Sequence, residues 1–208
     1  MLVILGAVPT HLMAEHDSLM PSLNVDKDWE RDYSALLNKH FKLDQAFEAR
    51  MLIESNRESV VSLHRKDDPM LGYILTYRSV SPESKSSIWG CVPRPKSPTT
   101  SKEVKIYERT ASLPKELGDR LVAVWSLMMN RVSNHTSYGL DGATYVFSTK
   151  EKTAETWSPR ERKSPLLFVE LGRSLMDYCR TERARRHLAG KDVWAALTAW
   201  EDYLKKNP

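Results

Sequence analysis

The sequence predicts an α+β fold: an antiparallel sheet of about five strands, two or three helices packed on it, and a further helix at each end. Three observations carry this. Residues 46–110 hold short alternating or β-branched runs separated by turn residues, with no helical pattern between the first three of them. That succession makes an antiparallel meander. Later segments space their apolar residues at three and four, the signature of a helix with one buried face. Between two such helices, Tyr138-Gly-Leu-Asp-Gly-Ala-Thr-Tyr-Val-Phe-Ser148 returns to a period of two.

The 208 residues suit one domain, which at this size buries roughly 70% of its unfolded surface without a metal or disulfide staple. Residues 1–25 read as an irregular lead-in, and residues 26–208 as a single α+β domain closing on a helix over 192–205. The lead-in begins with the apolar run Leu2 to Val8, which resembles the remnant of a signal segment. No Lys or Arg precedes that run, and Leu12 stands where cleavage after Ala14 would want a small residue. The run is too short to span a membrane.

Within the domain, Trp29, Tyr33, Leu36, Leu37 and His40 define a first helix over 26–42, capped by Asp26 or Asp28. Residues 46–55 alternate Phe47, Ala49, Met51 and Ile53 with Glu48, Arg50, Leu52 and Glu54, a half-buried strand. Asn56 to Glu58 forms a hairpin loop, 59–65 a second strand, Lys66 to Pro69 a turn, and 72–80 a third strand. Residues 81–101 are rich in Ser, Pro and Lys around the apolar island Ile88-Trp89. A fourth strand is expected over 103–110.

Leu113-Pro114 opens the clearest helix, with Pro at the first helical position and a stripe of Leu117, Leu121, Val124, Trp125, Met128 and Val132. Asp141-Gly142 makes a tight turn into a strand over 143–148 that puts Tyr145 and Phe147 on one face. Residues 149–156 read as a polar loop. Ser158-Pro-Arg-Glu161 fits a capping box, and Ser164-Pro165 offers a second start for the same helix. That helix buries Phe168, Leu171, Leu175 and Tyr178 and finishes in the positive run of 180–187. Gly190 breaks the chain. Asp192 begins the last helix, with Val193, Leu197, Trp200 and Leu204 inside.

Charge and motifs narrow the chemistry. The chain carries 31 Lys and Arg against 27 Asp and Glu, a net charge of +4 spread along its length. That excess is no nucleic-acid footprint, and the arginines at 180, 183, 185 and 186 lack interleaved aromatics. No phosphate-cradling glycine loop, nucleophile elbow, paired-histidine zinc motif or CxxC is present, so no catalytic residue and no cofactor is assigned. His11 and His16, five residues apart, share no helix face, and no metal is expected. Cys91 and Cys179 are either two ordinary thiols or, in an exported chain, a single bridge. Asp141 is the one loop carboxylate flanked by glycine; a turn bond to its own backbone and a functional role both suit it. Tyr145 and Trp157 suit either a core or a cleft, Trp89 either an anchor or an apolar island, and Ser158 a cap.

The order of Ile88-Trp89, Leu113-Pro114, Trp125, Leu140-Asp141-Gly142, Tyr145, Phe147 and Thr156-Trp-Ser-Pro159 resembles a group of bacterial proteins, some exported, that share LDGxxYxF and TWSP motifs. The likeness covers about residues 45–180. It implies a fold and a bacterial cytoplasm or periplasm, and no activity.

Two functional readings follow. The first is a non-enzymatic protein-binding domain, in its narrower form an immunity-type inhibitor of a bacterial toxin, with the aromatic residues as interface anchors. Its partner is another protein, not nucleic acid. The second is a hydrolase or small-ligand-binding protein using a cleft around Asp141, Tyr145 and Trp157.

Overall fold

In a strand, successive side chains point to opposite faces, and here both faces of one sheet are covered. The computed structural model describes residues 20–21, 28–55, 57–92, 103–132, 142–159 and 163–207. In chain order it contains β1 (Met20–Pro21), α1 (Asp28–Phe41), β2 (Ala49–Glu54), β3 (Ser59–Arg65), β4 (Tyr73–Val80) and β5 (Ile106–Leu113). Then follow α2 (Lys115–Asn130), β6 (Thr144–Ser148), β7 (Thr153–Trp157), α3 (Ser164–Arg180) and α4 (Arg186–Lys206). The sheet order is β1-β7-β6-β2-β3-β4-β5, and every pairing is antiparallel. The expected meander is therefore present, and the α+β class holds.

One face carries Met51, Val61, Leu63, Leu75, Tyr145 and Phe147 against the buried stripes of α2, α3 and α4. Phe168 is central to that core: its ring lies 4.4 Å from Trp125, 4.5 Å from Phe147 and 6.2 Å from Trp200. The opposite face carries Leu52, Val60 and Val80 against Tyr33, Leu37 and Phe41 of α1 and against Ile88. Strand β3 consequently reads as a nearly continuous buried run, as a strand covered on both faces should. Helix α2 carries the chain from β5, at one edge, over the sheet to β6, which pairs with β2.

The β5 edge is partly covered at its Leu113 end. Arg186 donates to the Thr110 carbonyl (3.1 Å) and the Tyr178 hydroxyl to the Ser112 carbonyl (3.0 Å). Satisfying those acceptors shortens the stretch of edge open to pairing with another chain.

Several expectations need correction. The polar loop over 149–156 is largely strand β7, which pairs with β6 so that Phe147 faces Ala154 and Tyr145 faces Thr156. Ala154, Glu155 and Thr156 are all buried, so this mostly polar run offers no alternation to read. Ser158 caps no helix. Its hydroxyl accepts from the Ala143 amide (2.7 Å) and locks the open end of the β6–β7 hairpin, while α3 starts at Ser164, the second of the two expected starts. The fourth strand lies at Ile106–Leu113, not 103–110, because Leu113 is drawn opposite Tyr73 into the core. Pro114 is thereby the residue before α2, not its first.

Residues 180–187 do not finish α3. The chain turns at Thr181 and Glu182, forms a 3-10 turn over Arg183–Arg185, and α4 runs from Arg186 straight through Gly190. Buried Ala189, Val193 and Leu197 hold α4 on α3, and that packing overrides the propensity of one glycine. Cys179 is buried in the α2–α3–α4 core, whereas Cys91 sits in a 3-10 turn between Ile88 and Val92 on the α1 face. The two form no disulfide with each other, and the sheet lies between them. Burial pushes the Cys179 thiol up to about 12. No helix among the described residues is long and apolar enough to cross a membrane.

Candidate functional site

The α1 face is organised by a carboxylate with no solvent exposure at all. Glu58, at the end of the β2–β3 turn, is fully buried. Its Oε1 accepts from the Trp89 amide (2.8 Å) and from the Tyr33 hydroxyl (3.5 Å), and its Oε2 from the Ile88 amide (3.2 Å). A buried carboxylate is tolerable when donors surround it in this way. Its own backbone carbonyl accepts from the Val80 amide (3.1 Å), fixing the turn to β4. The Tyr33 phenol is pushed far above its ordinary value, first by burial and then by the charges of Glu54 and Glu58, so it stays a proton donor.

This bracket immobilises the segment that carries Trp89. The Gly90 amide donates to the Ser87 hydroxyl (3.0 Å) and the Cys91 amide to the Ile88 carbonyl (3.0 Å), closing a 3-10 turn. Ile88 is buried beneath that turn, while Trp89 keeps 39% of its surface exposed. The Trp89 ring stands edge-on to Tyr33, with centroids 5.0 Å apart and planes at 87°. An aromatic side chain is thus presented outward with its backbone and one ring edge already fixed.

Beside it, two buried arginines anchor the end of α1. Arg78 donates to the Phe41 carbonyl (2.9 Å), the Gln45 side chain (3.3 Å) and its cross-strand partner Glu108 (2.7 Å). Arg50 donates to the Leu43 and Gln45 carbonyls (2.7 and 3.1 Å) and to Ser62 (3.2 Å), and stacks on Phe47 at 3.7 Å. Cations at a helix C-terminus oppose its dipole and satisfy its orphan carbonyls. Burial, then the charge of Arg78, lowers Arg50 to about 10, while Arg78 holds the Glu108 carboxyl below its usual range. These charges hold the fold together and are closed to a substrate.

Among the residues singled out by sequence, Asp141 lies outside the described residues. Tyr145 is buried on the core face, its ring under the Arg173 guanidinium, which also donates to its hydroxyl. Trp157 pairs across the hairpin with Thr144, the neighbour of Tyr145 in β6, so Tyr145 and Trp157 point to opposite faces of the sheet. The structure does not bring these two side chains together on one face of the sheet. Trp89 lies on the α1 face, the same face as Trp157. Of the arginine run, Arg180 pairs with Asp177 and Arg186 braces the β5 edge, leaving Arg183 and Arg185 exposed. Among the described residues, no group of three His, Cys, Asp or Glu side chains is placed to hold a metal ion.

Nothing in the sequence marks out Glu58, Arg50 or Arg78. A Glu closing a hairpin loop and arginines in alternating strands look like solvent-facing residues, and only the second layer on the α1 face buries them.

Comparisons with protein-family models, with curated proteins and with solved structures return no match for this chain.

Proposed function

We propose that this chain is a non-enzymatic protein-binding domain that docks its partner through the corner of the sheet bearing Trp89. The observation that carries the reading is the rigid presentation of Trp89: exposed, edge-packed on Tyr33, with its amide held by buried Glu58. Tryptophan is the residue most enriched among binding hot spots, and an anchor ordered in the free protein loses little entropy on docking. The use of the buried charges as internal braces supports the same reading.

In its narrower form the partner is a bacterial toxin and the chain its immunity-type inhibitor. The likeness to bacterial proteins with LDGxxYxF and TWSP motifs motivates a bacterial cytoplasm or periplasm as the setting. The test is calorimetry between this protein and the product of the neighbouring gene, repeated with Trp89→Ala. A one-to-one complex should weaken about 30-fold, equivalent to about 2 kcal/mol, in the variant. The absence of any complex, or undiminished affinity after truncation of Trp89, rejects the proposal.

A further inference from the structure

On the other face of the sheet, at the same end, a cleft of about 650 Å³ opens between the last rows of β3, β4 and β5 and the C-terminal end of α3. Its floor is a cross-strand row, Ser59 opposite Ser79 and Ser79 opposite Tyr107, with Tyr77 in the next row. Three hydroxyl-bearing side chains thus stand side by side on neighbouring strands. Asp177 and Arg180 of α3 form one wall and Arg57 of the β2–β3 turn another.

Three features make this a recognition site. Tyr77 lines the cleft, and its hydroxyl, with no hydrogen-bond partner among the described residues, is open there to a bound molecule. The Arg57 guanidinium has no side-chain partner among the described residues. Arg180 touches Asp177 only at 3.4 Å between two exposed side chains, a pair weak enough to exchange for a better acceptor. Tyr107 meets Tyr77 edge-to-face at 6.3 Å and lies under the Arg109 guanidinium, leaving an aromatic surface beside the cations. The end of α3 and Asp177 oppose a negative charge, but the Asp177 carbonyl is already taken by the amide and hydroxyl of Thr181 (2.9 and 2.7 Å). An anion is therefore directed toward Arg57 and away from Asp177.

We infer that this cleft binds a small organic anion, a carboxylate or phosphate ester on a flat ring, with Arg57 and Arg180 holding the anion, Tyr77 and Ser79 donating hydroxyls to it, and Tyr107 packing the ring. The volume suits a small molecule. The site lies on the face opposite Trp89 and goes beyond the protein-binding reading.

The experiment is a titration followed by amide NMR, using phenyl phosphate, benzoate, neutral benzamide and cationic benzamidine as probes. Phenyl phosphate or benzoate should saturate in the millimolar range and shift the amides of Arg57, Ser79, Tyr107 and Thr181. The preferred anion tells a phosphate from a carboxylate ligand. Arg57→Met should weaken binding about tenfold and Tyr77→Phe a few-fold, both with unchanged melting temperature. Trp89→Ala should leave the titration unchanged, so the two proposals fail separately. Equal response to benzamidine, no saturation by either anion, or full affinity in Arg57→Met overturns the assignment.

Discussion

Helix α2 crosses the sheet so closely that a β-carbon on Gly118 would stand 2.0 Å from Cδ2 of Tyr73. The ring cannot retreat. Its hydroxyl donates to Asp119 at 2.6 Å and accepts from Arg65 at 2.6 Å, and it is fully enclosed. The approach of α2 to β4 is thus set by a missing side chain, which explains a glycine within an otherwise strong helical stripe.

Gly118→Ala should accordingly destabilise by about 3 kcal/mol, through overpacking that the pinned ring cannot relieve. Gly172 of α3 is the control: a β-carbon there would meet the Met51 sulfur at 2.3 Å, and a thioether can rotate away. Urea denaturation should show Gly172→Ala losing about 1 kcal/mol and clearly less than Gly118→Ala. Equal losses would mean that the Tyr73 anchors do not hold the ring.

Gly190→Ala should do the reverse. The nearest atom to an added β-carbon is Tyr178 Cε2 at 3.6 Å, ordinary contact, and the residue is helical. Alanine lowers the conformational entropy of the unfolded chain, so stability should rise by about 0.5–1 kcal/mol. A fall in the denaturation midpoint would show that Gly190 ends a helix after all.

Glu58→Ala should cost about 3–5 kcal/mol, because it leaves the buried Ile88 amide and the part-buried Trp89 amide without acceptors. Glu58→Gln keeps one acceptor oxygen and should lose less. Hydrogen exchange gives the local readout: the amides of Ile88 and Trp89 should lose protection in the alanine variant ahead of those of β3 and β4.

His64 makes stability pH-dependent. Its Nδ1 lies 2.7 Å from the Ala46 carbonyl, and burial, with lesser contributions from the charges of Arg50 and Arg78, lowers its pKa below 6.5. The unfolded chain then takes up the proton first. The contribution is fully present above pH 6.5 and is lost as pH falls through the folded-state pKa. His40 shifts in the same direction, chiefly by burial. Denaturation midpoints should drop on acidification across this window, and less steeply in His64→Gln; identical slopes in the two proteins would remove His64 as the cause.

Much of the fold was legible because its signals are local. The apolar stripe of α2 belongs to a single 16-residue helix and the alternation of β6 to a single 5-residue strand, and the structure buries Leu117, Leu121 and Trp125 and pairs Phe147 with the core as expected. Strand β7 escaped because Thr153, Ala154 and Thr156 offer little apolar contrast. Ser158 is ambiguous in the sequence because a hydroxyl followed by Pro suits a helix cap and a hairpin lock equally well. Of the candidate site only Trp89 stands out in the sequence as a binding residue; its supporting Glu58 reads as loop.

By itself the sequence determined the α+β class, the meander and the buried stripe of each long helix, because periods of two and 3.6 record which side of a segment meets the core. Only the tertiary structure decided what covers each face. Glu58 and Ile88 are 30 residues apart, and Arg78 and Phe41 are 37 apart. Whether a charge is solvated or a buried brace depends on such distant partners, as does whether a glycine ends a helix or continues one. Residue order within a segment does not encode them; the packing of α1 and of α4 onto the assembled sheet and helices does.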